Sequence, residues 1–104
     1  MEDESIYITI NHIDDFCAVN HLRVGDELTL KKDPDNYYDD EAIAVYDKNN
    51  AKVGYVANSV HSVVRGTNSA GRLYDQFKYE ASCIVRFIVA EEGCVIAYIN
   101  EDLK

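Results

Sequence analysis

Hydrophobic residues alternate with polar ones at both ends of the chain. Isoleucines occupy alternate positions from Ile6 to Ile10, and in the longer segment from Tyr79 to Val89 one face carries Cys83, Val85, Phe87 and Val89. Because successive side chains of a strand point to opposite faces, both patterns predict strands that bury one face. A partner strand is predicted from Cys94 to Ile99, across a short connection that ends in Gly93 with a positive φ.

Three further strands are predicted in the middle of the chain. They run from Glu27 to Lys31, from Ala42 to Tyr46 and from Lys52 to Val56. The segment from Asp47 to Ala51 contains asparagines that tolerate positive φ, so it predicts a tight hairpin between the last two. Gly54 lies inside a predicted strand, which indicates a bulge or the close approach of other atoms to its backbone.

Two short helices are predicted between the fourth and fifth strands. Asn58 or Ser59 can cap a helix that continues to Arg65, and a second short helix is predicted from Ser69 to Phe77. The fold is therefore predicted to be mainly β: a small OB-like or SH3-like bent sheet or barrel of five to six strands, with one or two short helices before the last two strands. The predicted core consists of Leu28, Leu30, Ile43, Val45, Val85 and Phe87.

Composition sets the scale of the domain and limits its partners. With 104 residues, 47% of them hydrophobic, the chain is predicted to form a single domain over residues 1–104. Nineteen acidic residues against ten basic ones give a formal net charge of −9. This charge repels nucleic acid at long range, so any contact with phosphates must be local.

The cysteines and histidines do not predict a metal site. Neither group contains a pair with zinc-finger spacing, and no CxxC motif is present. The six residues are Cys17, Cys83, Cys94, His12, His21 and His61. We expect reduced thiols, no metal, no cofactor and a cytoplasmic location, since neither a signal peptide nor a membrane-spanning segment is evident.

The segment between the second and third predicted strands is the richest in chemistry. Turn formers, tyrosines and carboxylates follow one another from Asp33 to Tyr46. A purely structural role is also open, because an Asp-Pro-Asp-Asn sequence is a strong turn former. The run from Asp39 to Glu41 predicts a solvated acidic turn rather than a Mg²⁺ site, since contiguous carboxylates point to different faces. Ser59 and His61 suit no nucleophile and base arrangement, so we expect no enzyme activity and no catalytic residues.

A motif of fixed spacing covers this segment and its neighbours. It reads Gly25-x-x-Leu28-x-Leu30-x-x-Asp33-Pro34-x-Asn36-x-Tyr38-Asp39-x-x-Ala42-Ile43-x-Val45, followed by Val53-Gly54-Tyr55-Val56. In this motif the chain resembles the HIRAN domain, which occurs at the N-terminus of certain Swi/Snf-type DNA-repair remodelers and as stand-alone bacterial proteins. The chain is most similar to the stand-alone form. The resemblance implies an OB-like barrel that holds the 3′-hydroxyl end of single-stranded DNA.

The resemblance also implies a binding site. Its residues are Asn36, Tyr38, Asp39 and Tyr55, with Tyr37 as an addition. A tyrosine ring stacks on any base. A carboxylate such as Asp39 accepts a hydrogen bond from a hydroxyl and repels a phosphate, so it favours a free 3′ end. The amide of Asn36 can donate to and accept from a base edge or a sugar.

Three departures from the family pattern predict weak binding. Tyr37 replaces the usual proline, and Asn58 stands where DNA-binding members carry a lysine. Near the first strand, an Arg-Tyr-Tyr-like segment is replaced by Asn11, His12, Asp14 and Asp15. We expect the 3′ end of single-stranded DNA as a partner, a DNA-processing protein as a further one, and no membrane.

Two other functions stay open at this point. The tyrosines can instead form the surface of an acidic protein-interaction module, since tyrosine serves protein interfaces as readily as it stacks on bases. These tyrosines are Tyr37, Tyr38, Tyr46 and Tyr55. A catalytic domain of unknown reaction is the third hypothesis.

Overall fold

The computed structural model describes five ranges of the chain: residues 6–13, 22–33, 42–57, 70–74 and 76–99. In these ranges the chain forms six strands and one short α-helix. Their bounds are β1 Tyr7–Asn11, β2 Glu27–Lys32, β3 Ile43–Tyr46, β4 Lys52–Val56, α1 Ala70–Tyr74, β5 Glu80–Val89 and β6 Cys94–Ile99. All six predicted strands are confirmed, with bounds that differ by one residue at most. The predicted helix from Ser59 to Arg65 lies outside the described residues, and α1 confirms part of the second one.

The strands close into a barrel. Going around it, the order is β1, β4, β3, β2, β5, β6, and β6 pairs with β1 again. Every neighbouring pair is antiparallel. The predicted small β-barrel is therefore confirmed. Its closure satisfies the backbone groups that a flat sheet of this size would expose at its edges.

The inward side chains of the strands form one hydrophobic core. Burying a leucine or isoleucine side chain completely contributes about 1.5–3 kcal/mol, so a few such positions dominate the stability of a small barrel. The prediction was right for Leu28, Leu30, Ile43, Val45 and Val85, which are all buried.

Phe87 was predicted to lie in this core, and the prediction was wrong. The β5–β6 register shifts between Val85 and Phe87, so Arg86 is an extra residue on β5. Such a bulge reverses the inward and outward positions that follow it. Phe87 is consequently 57% exposed, while Ile88 packs against the core instead.

The predicted turns at both hairpins are confirmed. The Asp47 carboxylate accepts hydrogen bonds from the backbone N–H groups of Asn49 and Ala51, both at 2.9 Å. Asn50 has a φ of 64°, as expected for an asparagine in a tight turn. Gly93, which ends the connection between β5 and β6, also has a φ of 64°.

Gly54 marks a close approach of two backbones, as its position predicted. A Cβ atom at this position would collide with the carbonyl oxygen of Asn11 on β1 and press on the Ile10 side chain. The neighbouring β3–β4 ladder also shifts register between Val45 and Tyr46. Only glycine therefore allows β4 to lie this close to β1.

Candidate functional site

The structure describes one of the five predicted site residues, Tyr55. Asn36, Tyr37, Tyr38 and Asp39 lie outside the described residues. Both ends of the segment that carries them are described, because the backbone N–H of Asp33 donates a hydrogen bond of 2.9 Å to the carbonyl oxygen of Ala42. The segment therefore leaves and re-enters the barrel at a single point, between β2 and β3.

Tyr55 is tied to the start of this segment. Its hydroxyl accepts a hydrogen bond of 2.9 Å from Lys52 Nζ and donates a longer one of 3.5 Å to Asp33 Oδ2. The ring is half-buried on β4, opposite Ala44 in the β3–β4 ladder. These contacts fix Tyr55 beside Asp33, three residues before Asn36.

Two lysines and two tyrosines alternate on the outer face of β2, β3 and β4. We call Lys31, Tyr46, Lys52 and Tyr55 the lysine–tyrosine face. The ammonium of Lys31 lies 4.9 Å from the centre of the Tyr46 ring, and that of Lys52 lies 4.9 Å from the Tyr55 ring. Lys52 also lies 5.9 Å from the Tyr46 ring. Each of these distances is within the range of a cation–π interaction.

The charge of Lys52 is reinforced by its surroundings. The hydrogen bond to the Tyr55 hydroxyl raises the pKa of Lys52 above its ordinary value, and the nearby Tyr46 and Asp33 act in the same direction. Partial burial acts in the opposite direction but does not prevail. Because an upward shift favours the protonated form, Lys52 stays cationic across the neutral pH range.

Sequence reasoning identified Tyr46 and Tyr55 but missed the lysines between them. The ladder pairs Lys31 with Ala44, and Ala44 with Tyr55, so these three residues share one outward row. The predicted hairpin and the alternation along its strands are enough to predict which of these side chains are neighbours. Aligning the predicted strands across the hairpin would have placed Lys52 next to Tyr46.

The described residues do not include a group of three or more histidine, cysteine or acidic side chains that could hold a metal ion. Cys83 and Cys94 are free, buried thiols on β5 and β6. Burial raises the pKa of Cys83 to about 12 from its ordinary 9.0, and it raises the pKa of Cys94 as well. The thiolate is the reactive form of cysteine, so these two side chains are chemically quiet at neutral pH.

Alkylation kinetics should show this protection. At pH 8, Cys83 in the native protein should react with iodoacetamide at least about a thousandfold more slowly than a free thiol, because its upward pKa shift depletes the thiolate. After unfolding without reductant, mass spectrometry should find all three cysteines alkylated. Fast native labelling of Cys83, or fewer than three labels after unfolding, would contradict the prediction of buried, reduced thiols.

The described strands form a small closed β-barrel, an architecture that binding modules such as OB-folds use. A family model described as the HIRAN domain matches residues 7–103. The chain belongs to the HIRAN domain family, as its motif predicted. HIRAN domains are binding modules, and membership of the family supports a nucleic-acid-binding role for this chain.

Two solved structures share the fold. The crystal structure of the HIRAN domain of human HLTF has a TM-score of 0.68 and 19% identity, over 91% of this chain and 72% of that one. The crystal structure of a protein from Lactobacillus plantarum has a TM-score of 0.62 and 21% identity, over 93% of this chain and 94% of that one. No curated protein sequence matches the chain. Within the described ranges, none of the helical structure is long and apolar enough to cross a membrane.

Proposed function

We propose that this domain binds the 3′-hydroxyl end of single-stranded DNA at a site made by Tyr55 and the segment between β2 and β3. The observation that carries the proposal is the link from Tyr55 to Asp33, because it anchors an aromatic ring where that segment begins. Membership of the HIRAN family supports the same ligand class.

Each residue of the proposed site has a distinct role. Tyr38 and Tyr55 offer ring faces to the terminal bases, with Tyr37 as a further ring, and stacking contributes about 1–3 kcal/mol per base. Asp39 accepts a hydrogen bond from the terminal hydroxyl and repels a terminal phosphate. Asn36 hydrogen-bonds a base edge or sugar.

The lysine–tyrosine face carries local positive charge in a chain whose net charge is negative. Lys31 and Lys52 lie beside the tyrosine rings, so a phosphate can bind an ammonium while its base stacks on the adjacent ring. The net charge of −9 still opposes the approach of DNA at long range. We therefore expect weak binding with a shallow dependence on salt, since few counterions are released.

Fluorescence anisotropy with short oligonucleotides tests the end preference. At low salt, an oligonucleotide with a 3′-hydroxyl should bind more tightly than the same sequence with a 3′-phosphate. Asp39→Ala should abolish this difference, because it removes the group that distinguishes the two ends. Tyr38→Ala should lower the affinity for both oligonucleotides by roughly 5-fold to 150-fold, which corresponds to the loss of one stacked base.

The neighbouring carboxylate provides a matched control. Asp40→Ala removes the same charge from the same segment, so it should leave the preference for the hydroxyl intact. An Asp39→Ala variant that still prefers the hydroxyl end would contradict the proposed role of that residue. If neither end binds below millimolar concentration while the purified domain binds a basic protein, the acidic protein-interaction module replaces this proposal.

A further inference from the structure

A concave surface lies at one end of the barrel, where β2 ends and β5 begins, and it shares Lys31 with the lysine–tyrosine face. Its volume is about 440 Å³, and we call it the basic groove. Its walls come from the last residues of β2, the end of α1 and the approach to β5. The lining residues are Lys31, Lys32, Tyr74, Lys78, Tyr79 and Glu80.

The basic groove has the opposite charge to the chain as a whole. Three lysines line it against one carboxylate, that of Glu80, in a protein of net charge −9. It holds three of the five lysines in the part of the chain that the structure describes. Opposite charge at close range attracts an anion even where the field of the whole protein repels it.

A larger concavity in the described part of the barrel has a different balance of charge. It measures about 700 Å³ and lies between the turn that contains Gly25 and the turn of the β3–β4 hairpin. Three carboxylates face two lysines there. The charged residues are Asp26, Glu27, Asp47, Lys48 and Lys52. This balance does not favour an anion, so volume alone does not select the site.

One lysine of the basic groove, Lys32, is held in place by aromatic rings. The ammonium of Lys32 lies 4.4 Å from the centre of the Tyr74 ring and 5.2 Å from that of Phe77. Its backbone N–H donates a hydrogen bond of 3.3 Å to the carbonyl oxygen of Tyr79. A cation ordered in this way loses little side-chain entropy when it binds an anion.

Tyr79 gives the groove an aromatic surface as well. Its side chain is 73% exposed, an unusual position for a large amphipathic ring. An exposed ring beside several lysines combines a base-stacking platform with a phosphate-binding surface. Proteins that bind single strands use this combination of side chains.

The basic groove adjoins the site proposed above. Lys32 immediately precedes Asp33, which contacts Tyr55. Lys31 and Tyr55 are both neighbours of Ala44 in the sheet, so two strand spacings, about 10 Å, separate them. OB-fold barrels bind about 4–16 nucleotides of a single strand, so a strand held at its 3′ end by the proposed site is long enough to reach the groove.

We propose that the basic groove binds backbone phosphates of the same DNA strand, on the 5′ side of the nucleotides that the end site holds. Lys78 and the ordered Lys32 contact the phosphates, and Tyr79 stacks on a base. This inference rests on the proposed function for its direction along the strand. The contribution of the groove to affinity does not depend on the 3′ end, so it can be measured separately.

Oligonucleotide length separates the two sites. The wild-type domain should bind a decanucleotide about tenfold more tightly than a dinucleotide, because only the longer strand reaches the groove. The double variant Lys32→Gln/Lys78→Gln should lose this gain. The slope of log K against log salt should become shallower by about 1.4, at about 0.7 for each lost phosphate contact.

The matched control removes two positive charges elsewhere. Arg23 and Lys48 are exposed and lie outside the groove, so Arg23→Gln/Lys48→Gln should keep the length gain and the salt slope. Both variants replace partly or fully exposed side chains, and their thermal unfolding should match that of the wild type. An equal effect of the two double variants would show that net charge, not the groove, is responsible.

A circular single strand distinguishes a failure of the groove from a failure of the end site. If the end site is wrong, a circular strand should bind as tightly as a linear one, and the groove variant should weaken both. If the groove is wrong, the preference for a 3′-hydroxyl should persist with no length gain in the wild type. Absence of binding to every oligonucleotide at low salt overturns both proposals.

Discussion

Replacing Leu30 by alanine should lower the free energy of unfolding by about 2–5 kcal/mol, whereas Phe87→Ala should cost less than about 1 kcal/mol. Leu30 is completely buried, so its loss leaves a cavity among the inward side chains of the barrel. Phe87 is 57% exposed, so alanine leaves little new empty space. Urea unfolding of the two variants beside the wild type measures both values.

The order of the two effects tests the bulge on β5. An uninterrupted alternation of β5 places Phe87 in the core and predicts that it is the costlier of the two residues to truncate. Equal denaturant slopes in all three proteins would show that the midpoints report stability alone. A Phe87→Ala variant that loses more stability than Leu30→Ala would mean that the bulge at Arg86 is misplaced.

The Gly54→Ala variant should be destabilised by about 1–3 kcal/mol, and Gly54→Val by more. The added Cβ atom would collide with the backbone carbonyl oxygen of Asn11, which cannot rotate away as a side chain can. Strand β1 cannot simply move outwards either, because it is paired with β6 on its other side. Thermal or urea unfolding measures the loss.

Amide hydrogen exchange identifies which strand is displaced in the Gly54 variants. If β1 is pushed away from β4, the amides of β1 should exchange faster while those at the centre of β2 keep their protection. A Gly54→Ala variant within about 0.5 kcal/mol of the wild type would contradict the close contact, because that is the usual range for harmless surface changes.

Most of the fold was predictable because alternation and turn chemistry are local. The hairpin between β3 and β4 follows from asparagines that accept positive φ, and the core face of β2 follows from alternating apolar and polar residues. The position of Phe87 was not local. The β5 backbone at Val85 is hydrogen-bonded to Gly25 and Asp26, in a distant turn, next to the extra residue Arg86. No pattern within β5 reveals that contact.

The candidate site also contains residues that the sequence predicts and residues that it does not. Tyr55 could be chosen from the family motif, and the structure places it beside Asp33. The lysines around it could not be chosen from composition, since the average charge of the chain points the other way. Lys31 and Lys52 come together only through the register of three strands. The roles of Asn36, Tyr37, Tyr38 and Asp39 stay predictions.

Closure of the barrel also determines when the protein can finish folding. Its last seam joins Tyr7, near the start of the chain, to Tyr98, near its end. The N-terminal part of the chain leaves the ribosome first. Until β6 has been synthesised, β1 can therefore pair only with β4, through a short ladder. Contacts this distant in sequence form slowly. Until the seam closes, β1 and β5 each expose an unpaired edge, so the nascent chain is most prone to aggregation just before synthesis of β6 is complete.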